Sequence, residues 1–397
     1  MKQQVAAIAV VGTFDSKGEE HLFLKERIQR KGFDVLTIHV GTKGPSSFPP
    51  DVDLFAEVSA EGHQSRDAAV GTVIEKAQRL IKDLQETGKI SGIISAGGGT
   101  GTHISTRIMG TLPLGFPKLM VSTVASRDMS EIVGTKDITM LHSVVDILGV
   151  NSISGIILDR AAGAVCGMVD SSWKPDTAKR RIALTFFGFI TEAAERIRGE
   201  LEGLGYEIVP FHANGTGGSA MEELAGEGRF DGILDLAAHE LADELIGGYC
   251  RGIGPQRFRG ASGKTVPRLL VPGGLDCGVL EFTRATVPEA YRDRKLFFYD
   301  FRSAIRLNKE ETLVLAGQMT ERLKGNPSTL KILNPRNGWS EADRPGGPLH
   351  DPEINALFID RLREGLDQRI AIEELDCHIN DPAFARRASS LMHQMLQ

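Results

Sequence analysis

The chain has 397 residues, 41% hydrophobic and 25% charged, the make-up of a globular protein whose length suits two domains. A formal net charge of -6 excludes a broad electrostatic attraction to nucleic acid or anionic membrane, and no apolar run is long and uncharged enough to span a bilayer. Cys166, Cys250, Cys277 and Cys377 lie far apart with no CxxC pair, so they read as reduced, mostly buried thiols of a cytoplasmic protein.

Strand and helix alternate from the start. Val5 to Val11 reads as a strand and not a signal peptide, because it ends at Gly12-Thr13-Phe14-Asp15 without a cleavage region. A helix is expected from about Lys17, with Ser16 and Glu19 at capping-box spacing, then a strand from Asp34 to Val40. Apolar residues between Val70 and Leu84 recur at helical spacing and predict a helix over Arg66 to Glu86 that ends at Gly88. Ile90 to Ala96 is a buried strand running into a glycine-rich loop, followed by a helix from His103 to Met109 and a strand from Lys118 to Ser122. Apolar segments from Met140 to Leu148 and from Ile153 to Val169 close the domain, and Asp170 to Lys179 is the linker.

The second half repeats this order. Ile8 to Gly44 and Ile182 to Gly218 each read strand, turn, helix, strand, histidine, glycine. Gly92-Ile93-Ile94 parallels Gly232-Ile233-Leu234, and Pro117 to Val121 parallels Pro267 to Val271. The expected fold is therefore α/β, with two Rossmann-like three-layer domains in tandem by duplication, over residues 1–175 and 180–397. A C-terminal α/β extension is expected to pack across the second domain, as a helix from Pro352 to Leu366, a strand from Ile370 to Glu374 and a helix from Ala383 to Leu396.

The loop Gly97-Gly98-Gly99-Thr100-Gly101-Thr102 leads from a strand into a helix, which puts unpaired N–H groups and the positive helix end at the carboxyl edge of the sheet. Phosphate suits such a site, and the Thr100 and Thr102 hydroxyls can reach it or a magnesium ion. Ile104 stands where a dinucleotide fingerprint needs its third glycine, and no P-loop lysine follows. The turn Gly12, Thr13, Asp15, Ser16, Lys17 emerges at the same edge: Lys17 can neutralise phosphate, Thr13 and Ser16 can bond it, and Asp15 either holds a cation or caps the helix. After a third strand, Thr123 can join the ligand and Asp128 a metal, or the segment is a solvated turn. Gly260 to Thr265 imitates a Walker loop, but Phe258 occupies the first glycine position, so it reads as a surface loop. In the second domain His212, Asn214, Thr216, His239, Glu240 and Asp276 follow three strands and can line a second pocket, while satisfied core histidines and helix caps are the plainer alternative.

Together, Val11 to Glu19, Gly97 to Thr102, Gly134 to Ile138, Ala242 to Leu245, Asp351-Pro352-Glu353 and His378 to Asp381 resemble the ATP-binding family named for the tomato mosaic virus resistance protein, over the whole chain. The resemblance implies ATP and Mg2+ in the first domain and self-association into a dimer or larger homo-oligomer. Ala237-Ala238-His239 and Asp300-Phe301-Arg302 depart from the family's pattern in the second domain. Three readings follow: an ATP-dependent enzyme acting on a small-molecule substrate between the domains, a nucleotide-responsive protein-binding module, or a nucleotide-free hydrolase or lyase centred on His212, His239 and Asp276.

Overall fold

Alternate residues of the first strand face opposite cores, Ile8 and Val10 on one side and Ala9 and Val11 on the other, so its sheet is covered on both faces. The computed structural model describes residues 6–62, 65–260, 266–324 and 329–397, and the chain divides into two units between Lys174 and Pro175. Val5, where the first strand was expected to begin, and Ala261 to Thr265 of the Walker-like loop lie outside the described residues.

The first unit runs β1 (Ala7–Gly12), α1 (Phe14–Arg30), β2 (Val35–His39), β3 (Val52–Asp53), α2 (Phe55–Ala60), α3 (Arg66–Glu86), β4 (Ile90–Gly97), α4 (Gly99–Met109), β5 (Lys118–Ser122), α5 (Ser130–Val133), β6 (Thr139–His142) and α6 (Ser154–Val169). Its strands are all parallel in the order β3-β2-β1-β4-β5-β6. Helices α3 and α4 cover one face of the sheet and α1 and α6 the other. That is the doubly wound order, whose direction reverses between β1 and β4 and opens a crevice at their carboxyl ends.

The second unit runs β7 (Arg181–Phe186), α7 (Thr191–Gly203), β8 (Glu207–His212), α8 (Thr216–Gly226), β9 (Gly232–Ala237), α9 (Glu240–Ile246), β10 (Arg268–Gly273), β11 (Cys277–Leu280), β12 (Leu296–Phe298), β13 (Ser303–Arg306), α10 (Lys309–Leu323), β14 (Leu330–Pro335), α11 (Pro352–Gly365), β15 (Ala371–Leu375) and α12 (Pro382–Met395). Its main sheet, also parallel, has the order β15-β14-β10-β9-β7-β8. Without the two-residue edge strand β3, the first sheet reads β2-β1-β4-β5-β6, the arrangement that β8-β7-β9-β10-β14 repeats. The tail is no appendage: β15 is an edge strand of the sheet, and α12 shares the core with α7. An antiparallel sheet, β11-β13-β12, had no counterpart in the expected repeat. No helix among the described residues is long and apolar enough to cross a membrane.

Candidate functional site

The helix after β4 starts within the glycine loop, at Gly99, four residues before the expected His103. Gly98 is its N-cap and offers no side chain, and the first intrahelical bond runs from Thr102 N–H to the Gly98 carbonyl at 2.8 Å. The N–H groups of Gly99, Thr100 and Gly101 precede that bond and have no acceptor among the described residues. A Cβ on Gly99 would meet nothing within 4 Å, and one on Gly101 would face the Thr13 hydroxyl at 4.0 Å. These amides thus border a cavity of about 250 Å3 lined by Thr13, Asp15, Ser16 and Lys17 from the first turn and by Gly98 to Gly101. Its place at the ends of β1 and β4 is the crevice of the reversed strand order.

The first turn is shaped by a histidine that sequence reasoning passed over. His21 is buried, its Nδ1 lies 2.6 Å from the Lys17 carbonyl, and its Nε2 accepts the Ala96 N–H at 3.3 Å. Lys17 has φ -133° and ψ 33°, outside helical values, so α1 begins at Phe14 and kinks where the helix was expected to start. A Cβ on Gly12 would overlap the His21 ring, so this glycine admits the imidazole, and it is not among the residues lining the cavity. Burial is the chief reason that the His21 pKa falls to about 4, helped by the nearby charges of His39 and Lys17.

Several expected ligand groups have other work. Thr102 is buried, its hydroxyl 2.7 Å from the Ser122 hydroxyl, and buried Gly97 lies against Gly101. Thr123 and Asp128 do not line the cavity: Thr123 N–H donates to the Gly97 carbonyl at 3.2 Å, and exposed Asp128 caps Ser130 N–H at 2.9 Å. Asp128 is therefore not brought beside Asp15 in that lining. The Lys17 ammonium bonds the Ile147 carbonyl. Asp15 accepts the Lys43 N–H through Oδ2 at 2.9 Å, while its Oδ1 is buried without a partner among the described residues.

Two cations went unread in the sequence, Lys43 and Arg66, both exposed and lining the cavity. Lys43 sits in Gly41-Thr42-Lys43-Gly44 after β2, and a loop that follows a parallel strand must emerge at this edge, so the signal was present. Arg66 opens α3 and carried no such signal. Arg66 and Thr42 also border a neighbouring cavity of about 410 Å3 with Phe55, Val58 and Ala69 on its wall.

In the second unit the six expected pocket residues divide by burial. His212, Asn214 and Thr216 are exposed, whereas His239, Glu240 and Asp276 are buried. Asn214 Oδ1 accepts the Gly217 N–H at 3.1 Å. Glu240 accepts the Gly215 N–H at 2.8 Å and pairs with Arg257 Nε at 2.9 Å, which makes it an internal counter-charge to α8. Arg257 also pairs with Asp235 at 2.7 Å and with Glu222 at 3.3 Å, and Arg268 joins both carboxylates. Asp276 accepts the Ser340 hydroxyl at 2.8 Å, and burial, with the negative charge of Asp343, pushes its carboxyl up to about 7. Burial lowers His239 to about 3, with the charges of His212 and Arg257 acting in the same direction.

Comparison with known proteins covers both units. Models of the uncharacterised protein family UPF0261 match residues 6–174 with the N-terminal domain and 179–396 with the C-terminal domain. A UPF0261 protein of Clostridium tetani is 35% identical over 98% of this chain and 99% of its own length. One from Rhizobium meliloti is 35% identical over 96% and 97%. The ToMV resistance protein Tm-1(GCR237) of Solanum lycopersicum is 29% identical over 94% of this chain and 54% of its own length. A solved UDP-N-acetylglucosamine 2-epimerase from Rickettsia bellii aligns over 99% of this chain and 96% of its own, at 13% identity and a TM-score of 0.24.

Proposed function

The chain belongs to the uncharacterised protein family UPF0261, and we propose that its N-terminal domain binds ATP, with the phosphates on the amides of Gly99, Thr100 and Gly101. The observation that carries this reading is those three N–H groups, open to a cavity at the N-terminus of an eleven-residue helix. The Thr13, Ser16 and Thr100 hydroxyls supply neutral donors, and Lys43 and Arg66 supply charge. A pocket of about 250 Å3 suits phosphates more than a whole nucleotide, since small-molecule sites run to about 300–1,000 Å3. The adenine then lies beyond Thr42 and Arg66, against Phe55, Val58 and Ala69.

The donors fit a magnesium ion as well. Asp15 Oδ1 is a buried oxygen in want of a partner, and Mg2+ takes oxygen ligands from one or two carboxylates and the phosphates. Bound there, the ion would neutralise phosphate charge. The protein groups orient the triphosphate, stabilise its negative oxygens and exclude part of its water, as transfer to a small-molecule substrate requires. We therefore read the chain as an ATP-dependent enzyme. One observation favours a second reading, nucleotide binding without turnover that controls a partner: Asp15 is the one carboxylate among the residues lining the cavity, and its other oxygen already holds the Lys43 amide. The buried cysteines, all free, support a cytoplasmic, reducing setting. Self-association rests on the exposed Val144, Leu148, Ile153 and Ile156, which fall within one short stretch of the first unit.

Calorimetric titration with Mg2+ and ATP tests the proposal on wild type and Gly99→Val. A Cβ there meets nothing within 4 Å, so the fold should persist while affinity falls at least about tenfold, or about 1.4 kcal/mol. Equal heats from both proteins refute the site. Phosphate release with candidate substrates separates turnover from binding alone.

A further inference from the structure

We propose that His239, Asp243 and Cys250 form a binding site for a divalent metal ion of the zinc class in the second domain. One ligand atom from each residue lies within 4.8 Å of the others, and all three residues are buried. His239 is 1% exposed, yet neither ring nitrogen has a hydrogen-bond partner among the described residues. A buried polar group left unpaired costs about 1–3 kcal/mol, so such an imidazole calls for a ligand.

The local structure explains why the three groups meet. His239 is the N-cap of α9 and Asp243 lies four residues on, the spacing that sets two ligands on one side of a helical turn. The His239 ring stacks on Phe187, with centroids 3.8 Å apart and planes 17° from parallel, which holds the plane of the imidazole. After α9 the chain folds back over Asp243. A Cβ on Gly248 would stand 2.7 Å from the Asp243 carboxyl carbon, so a glycine lets the turn pass and return Cys250 to the cluster. Asp243 is oriented by two backbone donors, Val279 N–H at 2.6 Å and Cys250 N–H at 2.7 Å.

A nitrogen, an oxygen and a sulfur make a borderline-soft donor set, which suits zinc and not the hard ions magnesium and calcium. Bonds of about 2.0–2.3 Å in a tetrahedron put ligand atoms about 3.5 Å apart, so the ion needs to draw the three groups together by little more than about 1 Å. Three protein ligands leave the fourth corner for water or a small ligand, and neither the nucleotide nor its magnesium takes part.

The test uses the full-length protein without nucleotide, stripped with a chelator, loaded with Zn2+ or Co2+ and desalted. Expected are one metal equivalent per chain by elemental analysis and, with cobalt, a thiolate-to-metal charge-transfer band. Cys250→Ser exchanges a single heavy atom; it should lose the band and weaken zinc binding at least tenfold, while Cys166→Ser in the first unit changes neither. Asp243→Asn is the second variant, checked like the first by circular dichroism. Wild-type protein that retains no metal, leaving water as the partner of His239, overturns the proposal whatever the variants do, and so does a band that survives Cys250→Ser.

Discussion

His21 donates Nδ1–H to the carbonyl of Lys17 at 2.6 Å, because its other ring nitrogen accepts the Ala96 amide and so must be unprotonated. One neutral imidazole thus ties the kinked first turn of α1 to β4, the strand that carries the glycine loop. The unfolded chain takes a proton on this residue near pH 6.5, whereas the folded protein resists it until about pH 4. The contribution of His21 to stability is therefore full above pH 6.5 and falls as pH drops through that window, by about 1.4 kcal/mol per unit and about 3 kcal/mol in all. Urea denaturation at a series of pH values should show this fall, and His21→Gln should flatten its slope by one proton.

Gly12→Ala should destabilise the protein by about 1–3 kcal/mol, the usual cost of overpacking a filled interior. The added methyl meets the His21 ring, which is held from two sides and cannot yield. Because the two residues clash directly, the losses in Gly12→Ala/His21→Ala should sum to less than the single effects. Additive losses in denaturant would show that the ring is not the obstacle.

Arg66→Ala should weaken ATP about tenfold and AMP much less, with the melting temperature unchanged. The guanidinium is exposed, has no ion-pair partner among the described residues and borders both cavities, so its removal costs the fold little. Calorimetry with the two nucleotides reads the difference directly. Equal weakening of ATP and AMP would move Arg66 away from the outer phosphates.

Arg257→Met should cost about 3–5 kcal/mol, the penalty of leaving buried carboxylates without their cation. Arg257 is wholly buried, meets Asp235, Glu240 and Glu222, and lies 3.7 Å from the centroid of the Phe258 ring. A thermal melt should show the loss, and Arg257→Lys should recover only part of it, since an ammonium cannot reach three carboxylates in one plane.

Self-association predicts that Leu148→Asp, at a residue 82% exposed, lowers the mass seen by light scattering without unfolding the chain. A monomeric wild type would remove the reading.

Strands were legible wherever burial leaves an unbroken apolar run, as in β1, β4 and β5, and α3 showed its period clearly because one face alone is buried. The glycine loop was legible as a set of open amides at the head of a helix, but its division of labour was not. Nothing local says that Thr102 turns inward to Ser122 or that Gly12 makes room for a ring, because both depend on residues brought from other elements. The start of α1 was misplaced for the same reason: the His21–Lys17 bond bends a helix that local propensity would begin later. In the second unit, histidine and acid were seen after their strands, but the cation that neutralises Glu240, Arg257, was not.

The two sheets repeat one plan, yet their helix ends differ in occupancy. The start of α4 is left without a negative partner, while the start of α8 already has one built in, the carboxylate of Glu240. On the proposed reading a polyphosphate meets one open helix end of this pair, and titration should reach its end point at one nucleotide per polypeptide despite the doubled architecture.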